Sequence, residues 1–339
     1  MVTISSSNGS STASSIGGNY IRNNSSTSVG GGSMFLKVYS ISILLLDVLS
    51  LLVKMVYAIL ESIYQTVVGV SEKSVANEIV LITGTGHGIG KELAHQYAQL
   101  GAILVCWDIN ETENEKTVQE LRKMGAKAYG YKCDVSDREA VLELAKKVKQ
   151  EVGDVTVVVN NAGIMPCHPL LHHNHQEIRK IFDINVFAHF WMLEAFLPSM
   201  IQNNHGHIVA LSSMAGVMGI PNLVPYCGSK FAVRGLMEAL AEELREDARH
   251  IQVKFTSIMP FIVSTGLCKK PRTRFPFLLN FVTPKAAASA IIRAQRRNYA
   301  EASIPGGLLY LNNVLRLIPI KAGQYIKDFL DIGLDSDLK

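Results

Sequence analysis

The chain has 339 residues, 48% of them hydrophobic and 18% charged, which excludes a wholly disordered protein and gives room for one large domain or two small ones. Lysine and arginine number 33 against 29 acids, a net charge of +4, with no continuous basic stripe, so no nucleic-acid partner is expected. The five cysteines (Cys106, Cys133, Cys167, Cys227 and Cys268) are odd in number and far apart, the pattern of reduced thiols rather than of a disulfide framework or a zinc site.

Residues 1–33 are mostly Ser, Gly, Asn and Thr with one charge, Arg22, and are expected to be disordered because they have little to bury. They also set the next stretch too deep for an ordinary cleaved signal peptide. Met34 to Leu60 is almost continuously apolar and as a helix would reach roughly 40 Å, enough to cross a bilayer. Asp47, Ser50, Lys54 and Glu61 fall near one face of it, opposite Leu, Ile, Val and Met. A polar stripe beside a broad apolar face suits a helix lying in the membrane interface as well as one that spans. Residues 34–65 are therefore read as a membrane-associating helix, with both modes open.

From Ile79 the pattern alternates regularly. EIVLITG reads as a buried strand, followed by a helix from about Ile89 to Leu100, the strand AILVCW and the helix ETENEKTVQELRKM. AKAYGYKC, a helix over Asp137 to Glu151, and VTVVVNN continue it. A long helical region to about Gln202, the strand HIVALSS, a helix from Pro225 to Arg249 and the strand IQVKFTSIM follow. β-branched strands alternating with amphipathic helices predict an α/β fold of the Rossmann type, a doubly wound parallel sheet with helices on both faces. After Pro260 comes a long connection rich in Phe and Leu, then a helix over Pro284 to Asn298, a short strand near Ala302 to Ile304 and two apolar tail segments. The domains expected are a catalytic one over 75–305 and a hydrophobic C-terminal extension over 306–339.

The segment TGTGHGIG places Gly84, Gly88, Ile89 and Gly90 between the first strand and its helix. Glycines there allow a tight turn and close approach of backbone N–H groups to a dinucleotide pyrophosphate. Asp108 ends the second strand, where a carboxylate can accept both ribose hydroxyls of NAD and would repel the 2′-phosphate of NADP. NAD is the expected cofactor. Asp134, beside Val135 in CDVSD, either caps the next helix or binds the adenine amino group. In VVVNNAG, Asn160 and Asn161 can pin neighbouring strands while Ala162 and Gly163 keep the cofactor floor open.

Tyr226 and Lys230 stand four apart on a predicted helix and so share a face. Ser213 lies thirteen residues before Tyr226, and Asn185 forty-one before it. The ammonium and an oxidised nicotinamide would both stabilise a phenolate, lowering the tyrosine toward the working range. The phenolate takes the alcohol proton as hydride leaves carbon. Ser213 would donate to the substrate oxygen, Lys230 bind the ribose hydroxyls, and Asn185 hold a water linking the lysine to bulk.

These motifs, Thr83 to Gly90, Asn160 to Gly163, and the set Asn185, Ser213, Tyr226 and Lys230, resemble the short-chain dehydrogenase/reductase family over about residues 75–305. The resemblance implies that Pro260 and Thr265 belong to the segment closing over the nicotinamide, Thr265 contacting the carboxamide. The blocks WDIN, EVGDVTVVVNNAG and HFWMLEAFLPSM look like the membrane-associated branch that contains epidermal retinol dehydrogenases and lipid-droplet 17-beta-hydroxysteroid dehydrogenases. It implies oxidation of a retinol-like alcohol with NAD at the endoplasmic reticulum or lipid-droplet membrane, the catalytic domain facing the cytosol. Homodimerisation through the helices bearing Asn185 and Tyr226 is expected with it. The alternatives are a 17-beta-hydroxysteroid or long-chain fatty-alcohol dehydrogenase and a non-catalytic droplet scaffold.

Two clusters stand outside this scheme. His168, His172, His173 and His175 are expected on a surface or pocket rim, with no metal. Lys269, Lys270, Arg272 and Arg274 form either a lid edge meeting anionic headgroups or a solvated rim. Leu308 to Ile318, interrupted by Asn312, Asn313 and Arg316, is expected to be an interfacial or pocket helix rather than a second span.

Overall fold

A computed structural model describes residues 30–268, 270–272, 274–275, 281–331 and 333–337. The disorder expected for residues 1–29 and the role expected of Lys269 lie outside them. Helix α1, Gly30–Val68, is 39 residues long and takes in Gly30 to Ser33, which were expected in the disordered segment. Once the apolar stretch has nucleated a helix, each added residue costs only propagation, so the end runs past the composition change. Its described side chains are exposed along its whole length, and Lys37–Gln65 is long and apolar enough to cross a membrane. The chain divides into separate units after Val70.

In the second unit the strands are β1 Ile79–Thr83, β2 Ile103–Asp108, β3 Ala128–Lys132, β4 Val157–Asn160, β5 His207–Leu211 and β6 Lys254–Pro260. The two-residue β7 Pro271–Arg272, β8 Glu301–Ile304 and the two-residue β9 Gly333–Leu334 follow. Helices α2 Gly88–Gln99, α3 Glu111–Lys123, α4 Arg138–Glu151, α5 His175–Phe182, α6 Ala188–Gln202, α7 Val224–Glu246, α8 Pro284–Arg296, α9 Leu308–Leu315 and α10 Ile320–Leu330 connect or follow them. Seven strands form one parallel sheet in the order β3-β2-β1-β4-β5-β6-β8. The order reverses between β1 and β4, which opens a crevice at their carboxyl ends.

Alternation along the strands feeds two cores. Val80, Ile82, Leu104 and Val159 pack with Leu93, Tyr97, Leu121 and Ile291 of α2, α3 and α8 on one face. Leu81, Val105, Trp107 and Val158 pack with Val148, Met192, Phe196 and Met237 of α4, α6 and α7 on the other. Each fully buried aliphatic side chain stabilises the fold by about 1.5–3 kcal/mol, so the sheet fixes its own register. Side-chain caps set the helix starts: Asn110 accepts from Glu113 N, Asn174 from Glu177 N and Thr283 from Ala286 N. Each such cap contributes about 1 kcal/mol.

The structure corrects three local expectations. The long helical region before Gln202 is interrupted by a wide π-helical turn over Asp183–Phe187. Helix α7 stops at Glu246 instead of Arg249, because Asp247 draws both the backbone N–H and the guanidinium of Arg249 into a turn and His250 takes a φ of +54°. The cap of α4 is Asp137, which accepts from Ala140 N, and not Asp134. Asp134 spends Oδ1 on the N–H and hydroxyl of Ser136.

Candidate active site

The crevice is a cavity of about 340 Å³ lined along one side by Gly84, Gly88, Ile89, Asp108, Asp134 and Val135. The β1–α2 connection makes the cradle. Gly84 adopts a φ of +76°, and a Cβ on Gly90 would stand 1.9 Å from the Gly84 carbonyl oxygen, so helix and turn meet backbone to backbone. The turn is braced from β4: the Thr83 hydroxyl accepts from the N–H of both Asn161 and Ala162 at 3.0 Å, and Asn161 Nδ2 donates to the carbonyls of Thr83 and Gly84. This holds Asn161, Ala162 and Gly163 as the floor of the cavity. The sequence marks Thr83 only as part of the glycine motif; its bracing role needs the sheet order to be seen.

Asp108 is 9% exposed. Its Oδ2 accepts from Gly86 N and its Oδ1 from Asn110 N, both at 2.8 Å, which fixes the carboxylate plane beside the cradle while leaving lone pairs toward the cavity. A Cβ at Gly86 would stand 3.1 Å from that carboxylate, so the loop and the acid are fitted to each other. These features fit a dinucleotide: a backbone cradle that side chains would fill, followed by an acid placed for a ribose.

Ser213, Tyr226 and Lys230 line the same cavity. Ser213 follows β5 and caps a single turn, accepting from Ala215 N at 3.1 Å and donating to the Pro260 carbonyl at 3.4 Å. Pro225 in the first turn of α7 starts the helix that carries the other two. Lys230 Nζ donates to the Leu211 carbonyl at 2.7 Å, and the Ser212 hydroxyl donates to the Lys230 carbonyl at 2.8 Å, so α7 is clamped on the end of β5. The ammonium lies 5.7 Å from the Tyr226 ring centroid.

The electrostatics differ from the sequence expectation. Burial pushes the Tyr226 phenol up to about 12, with a hydrogen bond from Ser213 opposing it. Burial also lowers Lys230, to about 8. The lysine's hydrogen bond goes to a carbonyl and its charge is itself held down, so of the protein's own groups Ser213 and not Lys230 opposes the rise, and burial outweighs it.

Asn185 and Gly90 are not on the cavity wall. The π-helical turn puts Asn185 behind it, fully buried, where its Oδ1 accepts from Ile164 N and its Nδ2 donates to the Ile164 carbonyl, both at 2.9 Å. A Cβ on Gly163 would come within 3.2 Å of Asn185 Oδ1 and 3.6 Å of Lys230 Nζ, so only a glycine separates the amide from the ammonium. Pro260 ends β6 and Thr265 stands over the loop, its Cβ 3.3 Å from where a Gly88 Cβ would lie.

The other end of the cavity is apolar, with Met165, Ile184, Ile220, Leu223, Phe261 and Leu267 among its lining. Gly333 and Leu334 complete it, a contribution that the sequence did not signal. The described members of the basic cluster, Lys270, Arg272 and Arg274, are exposed, as a solvated rim would be, and each also has a partner. Arg272 pairs with Asp331 and Asp335, the Lys270 ammonium donates to the Ser336 carbonyl, and Arg274 stacks 5.7 Å over Phe329. The carboxylates that pair with Arg272 belong to the tail.

The histidines also divide. His172 and His175 are exposed, whereas the His173 side chain is fully buried and meets Glu177 at 2.5 Å, with His168 at 3.1 Å from the other oxygen. The remaining ring nitrogens, His168 Nδ1 and His173 Nε2, are buried without a hydrogen-bond partner. A metal ligand normally hands its second ring N–H to an acceptor, so this arrangement suits a carboxylate holding two imidazoles and tying the loop to α5.

Comparison with known proteins agrees with this geometry. Residues 78–274 match the family model described as short chain dehydrogenase. Epidermal retinol dehydrogenase 2 of Mus musculus is 41% identical over 84% of this chain and 93% of its own length. 17-Beta-hydroxysteroid dehydrogenase 13 of Homo sapiens is 41% identical over 86% and 96%. The crystal structure of a short chain dehydrogenase/reductase from Burkholderia phymatum in complex with NAD superposes with a TM-score of 0.65, at 26% identity, covering 72% of this chain and 94% of that one.

Proposed function

The chain belongs to the short-chain dehydrogenase/reductase family, and on that premise we propose that it oxidises a lipophilic, retinol-like alcohol with NAD as hydride acceptor. It is an NAD-dependent oxidoreductase acting on CH–OH donors. The observation that carries the finer reading is the meeting of Ser213, Tyr226 and Lys230 in one cavity, between a dinucleotide cradle and an apolar wall.

The cradle from Gly84 to Gly90 and the first turn of α2 would hold the pyrophosphate through backbone N–H groups. Asp108 accepts the ribose hydroxyls, and its charge disfavours a 2′-phosphate. Asp134 and Val135 would border the adenine, Asn161 to Gly163 form the floor of the cavity, and Pro260 and Thr265 would close over the nicotinamide. Oxidised NAD, when bound, supplies the hydride acceptor and a positive charge close to the tyrosine. That charge acts against the burial that raises Tyr226. Ser213 donates a hydrogen bond to the substrate oxygen, and the Tyr226 phenolate takes its proton as the hydride leaves carbon. Lys230 holds positive charge beside the phenolate, and Asn185 positions Lys230 and the floor through Gly163.

Helix α1 supports membrane association, read here as anchorage at the endoplasmic reticulum or a lipid droplet with the catalytic unit in the cytosol. An apolar substrate would partition into the same membrane. A second reading, a 17-beta-hydroxysteroid dehydrogenase, is favoured by the name of the 41% identical human relative.

The test is initial-rate measurement on the full-length protein in detergent with NAD and all-trans-retinol, estradiol or a long-chain fatty alcohol. Retinal formation with the highest kcat/KM is the expected result. Preference for estradiol would move the conclusion to the second reading. Tight NAD binding without turnover of any of the three would contradict both and bring the scaffold forward.

A further inference from the structure

The last described residues return from the end of α10 to the substrate end of the cavity. Strand β9 pairs antiparallel with β7, Leu334 opposite Pro271 and Gly333 opposite Arg272. Three loops hold the returning segment. From the connection after β6, Asp335 N donates to the Lys270 carbonyl at 3.0 Å. From the loop after β4, the Cys167 carbonyl accepts from Asp337 N at 2.8 Å, and the Ser336 hydroxyl donates to it as well. From the loop just before α7, Asn222 Nδ2 donates to the Leu334 carbonyl at 2.8 Å. Main-chain bonds to two loops and a side-chain amide from a third are what an ordered segment needs, because its backbone polar groups find partners instead of water.

The side chain at the centre of this segment is apolar. Leu334 is 9% exposed and packs in one cluster with Tyr226, Cys227, Leu223, Ala215 and Cys167. It lines the cavity together with Gly333. The same cluster therefore holds the tail residue and the reacting tyrosine. A Leu side chain in that position fills volume that a bulky substrate would need, and it presents the apolar surface that a narrow one would bury.

We infer that residues 333–337 are a strap whose Leu334 closes the far wall of the substrate end and sets how wide an alcohol the cavity accepts. The inference rests on the alcohol-oxidising reading for its choice of probes. The Arg272 ion pairs with Asp331 and Asp335 join half-exposed partners, so the main-chain bonds and Leu334 carry most of the hold.

The test compares full-length wild type with Leu334→Ala, Leu334→Trp and Asn222→Gly. Glycine is chosen at 222 because Asn222 has a φ of +65°, which glycine accepts while losing the amide that holds the strap. The readouts are kcat/KM for a narrow primary alcohol (all-trans-retinol) and a wide secondary one (estradiol), retinol affinity by its own fluorescence, and NAD affinity. Leu334→Trp should cut kcat/KM for the wide alcohol by about tenfold or more relative to the narrow one, mostly in KM, because an added ring takes up pocket volume. Leu334→Ala and Asn222→Gly should shift the ratio the other way by about fivefold or more. NAD affinity should stay within about twofold in all three, since the cradle is formed by β1, β2 and β4.

An unchanged ratio and unchanged retinol affinity in all three variants, with NAD affinity intact, would overturn the strap. If wild type turns over neither alcohol, the affinity for estradiol relative to retinol, read by displacement of retinol fluorescence, decides alone. A fall in Leu334→Trp keeps the strap and rejects the reaction, whereas no fall rejects the strap. If Leu334→Trp does not fold, the other two variants give the same decision.

Discussion

The two ends of the cavity are built on opposite principles. The cofactor end is assembled from short turns between consecutive elements, and its side chains spend their polar atoms on nearby backbone: Thr83 on Asn161 and Ala162, Asp108 on Gly86 and Asn110. The substrate end is assembled from segments far apart in the chain, the loop after β4, the loop before α7, the connection after β6 and the tail, and its lining is mostly apolar. One end is fixed by hydrogen bonds that tolerate little change, the other by packing that tolerates volume-conserving exchange. A common hydride chemistry can thus be kept while the alcohol accepted is altered.

The largest effect should come from the cofactor end. Gly90→Ala drives a Cβ into the Gly84 carbonyl. It should abolish NAD binding at concentrations that saturate wild type and lower stability by about 1–3 kcal/mol, seen by titration calorimetry and denaturant unfolding. Full NAD affinity in that variant would break the comparison. Next, Lys230→Met should lower kcat by about 10²–10³-fold while the sheet core remains, a result read from steady-state rates beside unchanged far-ultraviolet circular dichroism. Asp108→Asn should sharpen the contrast. It is expected to reduce the NAD over NADP preference by about tenfold or more without changing the ranking of alcohols.

The smallest effect is in stability against pH. Burial lowers Lys230 from its ordinary 10.5 to about 8, so between those values the unfolded chain binds a proton there that the folded one does not. The unfolded state then binds more protons, and stability should rise with pH across that window. Above about 10 the raised Tyr226 acts in the opposite sense, since the folded state keeps a proton the unfolded chain releases. Lys230→Met should remove the rise, which denaturant midpoints at pH 8, 9 and about 10 would show.

Much of the cofactor end was legible in the sequence because a short turn leaves a motif residue nowhere else to go. The cradle glycines follow β1 within a few residues and Asp108 is the last residue of β2, so strand order alone places them. Asn185 was harder. Its spacing is that of the family, but the π-helical turn carries it behind Gly163 instead of onto the wall. The cap at Asp137 rather than Asp134 turned on three residues of register, which composition does not resolve. Leu334 was not legible at all. It reaches the cavity through pairing between two-residue strands more than sixty positions apart, and nothing local encodes such a contact. The partners of Arg272 were illegible for the same reason, because Asp331 and Asp335 lie in that tail.

The central claim is that Tyr226 is the base of an NAD-dependent alcohol oxidation. The most direct test is Tyr226→Phe in the full-length protein, with NAD affinity measured on the same preparation as the rate of retinal formation. The account predicts a kcat lower by about 10²–10⁴-fold with NAD affinity within about twofold of wild type. A variant that forms retinal at the wild-type rate would contradict it.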